Sequence, residues 1–179
     1  ATKKDEVPKS MNIISFEIHN FDSNDPKKHG EWFFRIGEDY IRTSKDLFKE
    51  KFIDKSSNQL RNNYVGDLSF ALLLVSGIEL VIKSFLRTSG HATKWCLENH
   101  YRHDYKKAYD DCKKINVLFQ DKELENIIFF LDKEFPDIIE CRYIENKTKF
   151  QFDIETFKVL EDKLLKPIVA IYKKDGFIP

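Results

Sequence analysis

The sequence predicts a mainly α-helical protein, an up-and-down bundle of about five helices with a small β appendage. Three observations favour this class. Apolar residues recur at three-, four- and seven-residue spacing through much of the 179-residue chain, which is the period of an amphipathic helix. Only six Gly and five Pro interrupt the pattern. The period-two alternation typical of strands is confined to two short segments, residues 12–21 and 142–152.

Length and charge favour one soluble domain. A chain of 179 residues has the ordinary size of a single domain; we divide it into an N-terminal extension with a strand, residues 1–30, and a helical-bundle domain, residues 31–179. Thirty basic and thirty acidic side chains cancel, so no general attraction to nucleic acid or anionic membranes is expected. The sequence shows no signal peptide, no disulfide framework and no apolar run of about 20 residues. We therefore expect a cytoplasmic protein that does not span a membrane.

The first predicted elements are a strand and a long helix. Residues 12–21 are β-branched and aromatic, with rough alternation, and predict a strand. The polar residues 22–30, which include Pro26, predict a loop. A helix is expected from Glu31 to about Asp54. Its apolar face is expected to consist of Phe33, Ile36, Tyr40, Leu47 and Phe48.

Residues 67–88 carry the strongest helical pattern and predict a helix at the centre of the bundle. Apolar side chains nearly surround it, as expected of a buried helix. Because glycine costs about 1 kcal/mol in a helix interior, Gly77 indicates a close crossing with a neighbouring helix. Ser89 and Gly90 are expected to end the helix, with Gly90 at the C′ position.

Two helices are predicted after residues 91–102, whose pattern is ambiguous. Asp104 is expected to cap the first of them. Its inner face is expected to consist of Tyr105, Ala108, Tyr109 and Cys112. Asp121 is expected to cap the second, which Pro136 should end.

The C-terminal part predicts a hairpin followed by a last helix. Residues 142–152 resemble two short strands around a two-residue turn, Asn146 and Lys147. Asp153 is expected to cap the last helix, and Pro167 to kink or end it. The predicted apolar face of this helix is Phe157, Leu160, Leu164, Ile168 and Ile171.

Histidine and cysteine are concentrated between residues 91 and 112. Their spacing matches no compact tetrahedral zinc site. The favoured interpretation makes the histidines surface or capping groups and Cys112 a core residue, with zinc as the alternative. No cysteine is marked out as a nucleophile, and no Gly-rich phosphate loop occurs. We therefore predict no metal site and no cofactor.

Three short motifs resemble those of the HEPN family, the "higher eukaryotes and prokaryotes nucleotide-binding" helical domains. The central helix carries Glu79, Lys83 and Leu86 in the pattern E-x-x-x-K-x-x-L. His103-Asp104-Tyr105 opens a helix where the family has His-Asp-Leu, and Arg142-Tyr143 precedes the final helix. The resemblance covers roughly residues 31–175. The candidate binding or site residues are Glu79, Lys83, Arg102, His103, Asp104, Arg142 and Tyr143.

The resemblance implies a bundle of four to five helices that often dimerises and acts around RNA, in toxin–antitoxin, phage-defence or abortive-infection systems. Active members of the family are metal-independent ribonucleases with the motif R-x(4–6)-H. In them a His takes the proton of the ribose 2′-OH, and an Arg stabilises charge on the phosphorus. Here no His follows any of the six Arg at that spacing, and the nearest pair, Arg87 and His91, is one residue short.

The leading hypothesis is therefore a HEPN-like homodimer that binds RNA, a nucleotide or a protein partner. One alternative is a ribonuclease with a rearranged site, in which His103 is the base and Arg142 or Arg102 stabilises charge. Another is a purely structural interaction bundle, in which Asp104 only caps a helix and Glu79 and Lys83 form an ordinary helix-surface ion pair. Arg102, Lys106, Lys107, Lys113 and Lys114 lie together in the sequence and form either a local basic strip or, as the favoured interpretation in a Lys-rich protein, an ordinary solvated face.

Overall fold

The computed structural model describes residues 25–53, 69–91, 100–135 and 152–179. The α-helices in these ranges are α1 (Pro26–Phe52), α2 (Ser69–Thr88), α3 (Tyr105–Ile115), α4 (Lys122–Glu134), α5 (Glu155–Leu160) and α6 (Lys166–Lys174). A 3₁₀ turn, Val117–Gln120, lies between α3 and α4, and a π-helical turn, Glu161–Leu165, makes α5 and α6 one continuous helix. Helices account for 84% of the described residues. The mainly α class is confirmed.

The predicted β appendage is not supported. The described ranges contain no β-sheet. The predicted strand at residues 12–21 lies outside them, as does the predicted hairpin at residues 142–152 apart from its last residue, Phe152. The Phe152 ring packs 5.2 Å from the rings of Phe48 and Phe70. The aromatic residue that was expected to end a strand therefore belongs to the helical core.

Helix α1 begins earlier than predicted, at Pro26 rather than Glu31. The Asp25 side chain accepts the backbone N–H of Lys27 at 2.9 Å and so caps the helix. Proline is favoured in the first turn, because its missing N–H would have no intrahelical partner there and its φ is already helical. The segment predicted as a loop therefore ends in the first turn of α1.

Helix α1 also buries a different face from the predicted one. Its buried residues are His29, Gly30, Phe34, Gly37, Ile41, Ser44 and Phe48. Of the predicted face only Phe48 is fully buried, and Tyr40 is 38% exposed. The physical reason is a series of small residues at seven-residue spacing, which lets a second helix approach on that side although the series itself is not hydrophobic.

The close approach is the antiparallel crossing of α1 and α2. A Cβ on Gly37 would lie 2.8 Å from the Gly77 carbonyl oxygen, and a Cβ on Gly77 would lie 2.7 Å from the Gly37 carbonyl oxygen. Further along, Ser44 Oγ donates to the Phe70 carbonyl at 2.6 Å. The close crossing predicted at Gly77 is confirmed, and its partner is Gly37.

Helix α2 forms the centre of the core. Its length and composition would allow it to cross a membrane, but 72% of its most apolar window is buried inside the protein. Such burial is typical of the core helix of a soluble protein. Its end matches the prediction, because Gly90 has a φ of +70° and the Ser89 N–H bonds back to the Phe85 carbonyl at 3.0 Å.

The predicted caps of α3 and α4 are confirmed. Asp104 accepts the N–H of Lys107 at 2.8 Å, and Asp121 accepts the N–H of Glu123 at 3.0 Å. The predicted inner face of α3 is buried in full; it consists of Tyr105, Ala108, Tyr109 and Cys112. Pro136 lies outside the described residues.

The last helix departs from the prediction around Pro167. The Asp153 side chain accepts the Glu155 N–H at 3.0 Å, in line with its predicted capping role. Pro167 does not end the helix, which continues to Lys174 after the π-helical turn. The Lys166 N–H bonds to the Glu161 carbonyl, one residue further back than in an α-helix. A π-helical turn takes one residue more than an α-helical turn, and this rotates the residues that follow it. As a result Tyr172 is buried and Ile171 is only half-buried.

Candidate functional site

Two oppositely charged side chains lie buried on α2, on the side away from α1. Glu79 is 7% exposed and Lys83 is 8% exposed. One helical turn separates them, and Lys83 Nζ lies 2.5 Å from Glu79 Oε1. The predicted pair is therefore not at the helix surface. It forms a polar seam in a mainly apolar helix, which also buries Ser84 and Arg87.

The Lys83 ammonium group also binds the chain between α2 and α3. It donates to the backbone carbonyl of Arg102, in the turn that leads into α3. Arg102 has a φ of +44°, and it is the one residue other than glycine with a positive φ in the described ranges. This left-handed conformation is unfavourable for an L-residue with a side chain. The ammonium of Lys83 therefore helps hold a strained turn in place.

His103 completes the cluster. Its Nδ1 lies 3.4 Å from Glu79 Oε2, while 61% of its side chain remains exposed. Because a carboxylate can only accept, Nδ1 is the donor in this long hydrogen bond, and a neutral imidazole then carries its lone pair on Nε2. A buried carboxylate thus orients an exposed imidazole.

We call this cluster the junction site: Glu79, Lys83, Arg102, His103 and Asp104. The charges of Glu79 and Lys83 compensate each other below the surface, and Asp104 is engaged as the α3 cap. The Arg102 and His103 side chains are exposed above them. Guanidinium and imidazole groups donate hydrogen bonds to phosphate and carboxylate oxygens. The arrangement can therefore bind an anion, or move a proton at His103 Nε2.

Five of the seven candidate residues predicted from the sequence are brought together at the junction site. The other two, Arg142 and Tyr143, lie outside the described residues. Sequence reasoning missed two features. It did not anticipate that Arg102 would contribute its carbonyl oxygen, or that Tyr101 would be buried and donate to Asp111 Oδ2 at 2.8 Å. No sequence pattern indicates a left-handed φ at an Arg. The burial of Tyr101 could have been predicted, because an aromatic residue so close to the predicted cap Asp104 is a recognisable signal.

The lysines of α3 do not form a local basic strip. Three of the four are paired with carboxylates: Lys106 with Asp110 at 2.9 Å, Lys114 with Asp111 at 2.6 Å, and Lys113 with Glu125. Hydrogen bonding to Asp110 raises the pKa of Lys106. Of the five residues of that strip, only Arg102 and Lys107 keep a charge with no carboxylate partner in the part of the chain that the structure describes.

The His and Cys residues between positions 91 and 112 do not gather around a metal position within the described ranges. No group of three or more His, Cys, Asp or Glu side chains there is arranged to hold an ion. Cys112 is fully buried beneath α2, and burial raises the pKa of its thiol well above the ordinary value. A buried neutral thiol is a poor nucleophile, so the prediction of Cys112 as a core residue is confirmed.

No family model, curated protein or solved structure matches this chain. The resemblance to HEPN domains therefore stays a prediction from short motifs.

Proposed function

We propose that this chain is an RNA-binding helical domain of the HEPN type, which contacts RNA through Arg102 and His103 of the junction site. One observation carries the proposal: Glu79, buried in an apolar helix, lies 3.4 Å from His103, and most of the imidazole remains open to solvent. A carboxylate in that position presents the imidazole in one orientation, which is useful for recognising a ligand.

The energetics of α2 support a functional origin for the site. Replacing a buried ion pair by well-packed apolar residues is often neutral or stabilising, so stability alone does not favour Glu79 and Lys83 in this helix. The pair has a second effect, because Lys83 also holds the Arg102 carbonyl. Buried charge and a strained turn thus occur together, as they do at many functional sites.

The chemistry of the exposed groups favours RNA. The sequence has 24 lysines and only six arginines, and one of those arginines directly precedes the oriented histidine. A guanidinium group binds phosphate oxygens through parallel hydrogen bonds, which an ammonium group cannot match. An imidazole beside it can contact either a phosphate or the ribose 2′-OH that distinguishes RNA from DNA.

Fluorescence anisotropy with labelled single-stranded RNA tests the proposal on the full chain. We expect His103→Ala and Arg102→Lys each to weaken binding about tenfold, which corresponds to the loss of one charge-assisted hydrogen bond. His91→Ala and Arg35→Lys are matched controls, since both residues are exposed outside the junction site, and they should bind normally. Absence of RNA binding, or equal binding by all variants, would contradict the proposal. Capture of a protein partner instead of RNA would also count against it.

A metal-independent ribonuclease with a rearranged site is the second candidate. It is favoured by the Nδ1 contact to Glu79, which leaves Nε2 of His103 exposed and free to accept the 2′-OH proton. RNA incubated with the protein in excess chelator should then be cleaved, and His103→Ala should abolish cleavage while Arg102→Lys slows it. An intact substrate after incubation with the wild-type chain would leave a binding domain only.

Homodimerisation, a cytoplasmic location and a role in defence or toxin–antitoxin systems complete the proposal. They are supported by the resemblance to the HEPN family alone. Light scattering of the purified full chain measures the first, and a monomer at working concentration would contradict it.

A further inference from the structure

We propose that a second surface of this protein, separate from the junction site, binds the sugar–phosphate backbone of single-stranded RNA. The surface lies at the end of the bundle where α1 begins and α6 ends, and we call it the basic end. It consists of Lys27, Lys28, Lys173 and Lys174, with the aromatic side chains of Trp32 and Phe177. The inference rests on the proposed RNA-binding function only in the choice of ligand.

Direct contacts bring the two helix ends together. Lys27 Nζ lies 5.4 Å from the centre of the Phe177 ring, just after the end of α6. Phe177 packs edge-on against Tyr172 of α6 at 5.5 Å. The Tyr172 hydroxyl accepts a hydrogen bond from Thr88 Oγ1 at 3.2 Å, and Thr88 lies directly against Gly30 of α1. The lysines of α1 and α6 therefore belong to one surface.

None of these four lysines has a carboxylate partner within 4.0 Å in the described part of the chain, unlike Lys106, Lys113 and Lys114 of α3. Two nearby acids are already engaged. Asp25 caps α1, and Glu31 binds Arg35 at 2.8 Å. Glu31 is balanced by Arg35, and the four lysines outnumber Asp25 and Asp175, so the basic end keeps a net positive charge although the whole chain has none.

The position of Lys27 and Lys28 does not follow from helix stability. Lysines near a helix C-terminus stabilise the helix, which accounts for Lys173 and Lys174. Lys27 and Lys28 lie in the first turn of α1, which contains no acidic residue. Cations in the first turn oppose the helix dipole. Two cations that oppose the dipole of their own helix, at a surface where cations outnumber acids, indicate a role for an external anion.

An exposed aromatic side chain accompanies the lysines. Trp32 is 39% exposed and follows Lys28 by one helical turn on the same face of α1. Proteins that bind single-stranded nucleic acid without sequence preference combine a positive surface for the phosphates with aromatic rings on which bases stack. The basic end has both components, and this favours single-stranded RNA over a lipid surface or an acidic protein.

The basic end and the junction site lie on different sides of α2. Gly77 and Thr88 face α1, which carries Lys27 and Lys28. Glu79 and Lys83 face the turn before α3. A variant at one site therefore need not disturb the other.

The test uses the full chain with Trp95→Phe, which leaves Trp32 as its one tryptophan, and an oligouridine of about twelve nucleotides. We expect the RNA to quench Trp32 fluorescence. Lys28→Ala with Lys174→Ala should weaken binding about tenfold and reduce the slope of log K against log salt by about 1.4, since each phosphate contact contributes about 0.7 for a single strand. Lys106→Ala with Lys114→Ala is the matched control, because both of those ammonium groups are already paired.

A single further variant separates a binding role from a structural one. Lys28→Glu should weaken RNA binding and at the same time raise the melting temperature by about 1–3 °C, because it replaces a cation by an anion in the first turn of α1. If Lys28 had only a structural role, its replacement would not weaken RNA binding while raising the melting temperature. Unchanged RNA binding in Lys28→Glu would overturn the inference.

The outcomes distinguish the two proposals. If RNA binds and only the junction variants weaken it, the basic end is not an RNA surface and the proposed function stands. If only the lysine variants weaken it, the basic end is supported and the junction site is wrong. If no RNA binds, both proposals are overturned. Binding to vesicles of phosphatidylserine and phosphatidylcholine with no competition from oligouridine would assign the basic end to a membrane and overturn the inference.

Discussion

The two sides of α2 differ in how they are packed. On the side of α1, Gly77 lies against Gly37 so closely that there is no room for a Cβ atom. On the side of the turn before α3, Glu79 and Lys83 are buried, and among the described residues their charges are met by each other, by His103 and by a backbone carbonyl. Close packing of backbone atoms stabilises the first side, and charge–charge and hydrogen-bonding interactions stabilise the second. Helix α2 thus packs into the core of the fold on one side and supports a polar site on the other.

The largest effect on the free energy of unfolding is expected from removing one partner of the buried Glu79–Lys83 ion pair. Lys83→Ala leaves Glu79 buried without its countercharge and should lower the free energy of unfolding by about 3–5 kcal/mol. Urea denaturation measures it. Replacing both residues, as Glu79→Leu with Lys83→Leu, should recover most of the loss while RNA binding stays impaired. Arg35→Ala, which breaks an exposed ion pair with Glu31, should cost less than about 1 kcal/mol. A loss in Lys83→Ala no larger than that of Arg35→Ala would contradict the prediction.

An intermediate effect on the free energy of unfolding is expected at the close crossing of α1 and α2. Gly77→Ala gains about 1 kcal/mol of helix propensity, but its Cβ would meet the Gly37 carbonyl and Ile41. We therefore expect a net loss of about 1–3 kcal/mol in thermal or urea unfolding. Asp39→Ala, at an exposed position of α1, is the control and should change stability by less than about 0.5 kcal/mol. A Gly77→Ala variant as stable as Asp39→Ala would contradict the prediction.

The smallest effect is expected from acid. The hydrogen bond and charge of Lys113 lower the pKa of Glu125. For Asp111, burial acts to raise the pKa, but hydrogen bonds from Lys114 and Tyr101 outweigh it, and the pKa is lowered overall. A folded pKa below the unfolded value gives stability that is present above about pH 4 and is lost as pH falls through the folded pKa.

Hydrogen exchange as a function of pH measures this effect. Amide protection in α3 and α4 should decrease below about pH 4, and by more than at the Gly37–Gly77 contact, where backbone and aliphatic groups meet. Asp111→Asn should flatten the dependence in α3. Simultaneous loss of protection in all the helices would contradict the prediction.

The sequence predicted those features that depend on local pattern. The α2 helix, the Asp104 and Asp121 caps and the crossing at Gly77 follow from spacing, from capping preferences and from the cost of glycine in a helix. The short motifs that resemble those of HEPN domains supplied Glu79, Lys83, His103 and Asp104 as candidate residues. These features need information from only a few neighbouring residues.

The features that sequence reasoning missed depend on tertiary contacts. The buried face of α1 was assigned wrongly, because hydrophobic spacing gives no weight to Gly30, Gly37 and Ser44, which make room for α2. The sequence alone could not decide whether the lysines of α3 form a basic strip, because their carboxylate partners, such as Glu125 on α4, cannot be identified before the fold is known. The strained turn at Arg102 depends on an ammonium group nineteen residues earlier in the chain.

The π-helical turn at Glu161–Leu165 takes up one residue more than an α-helical turn. If the same residues closed as an ordinary α-helix instead, everything after them would be rotated by about 100°. An aliphatic side chain, Ile171, would then point inward in place of Tyr172. The hydroxyl of Ser84, which now has Tyr172 Oη at 2.6 Å, would lose that partner in the core. The wider turn at this one position thus selects which side chain closes the bundle.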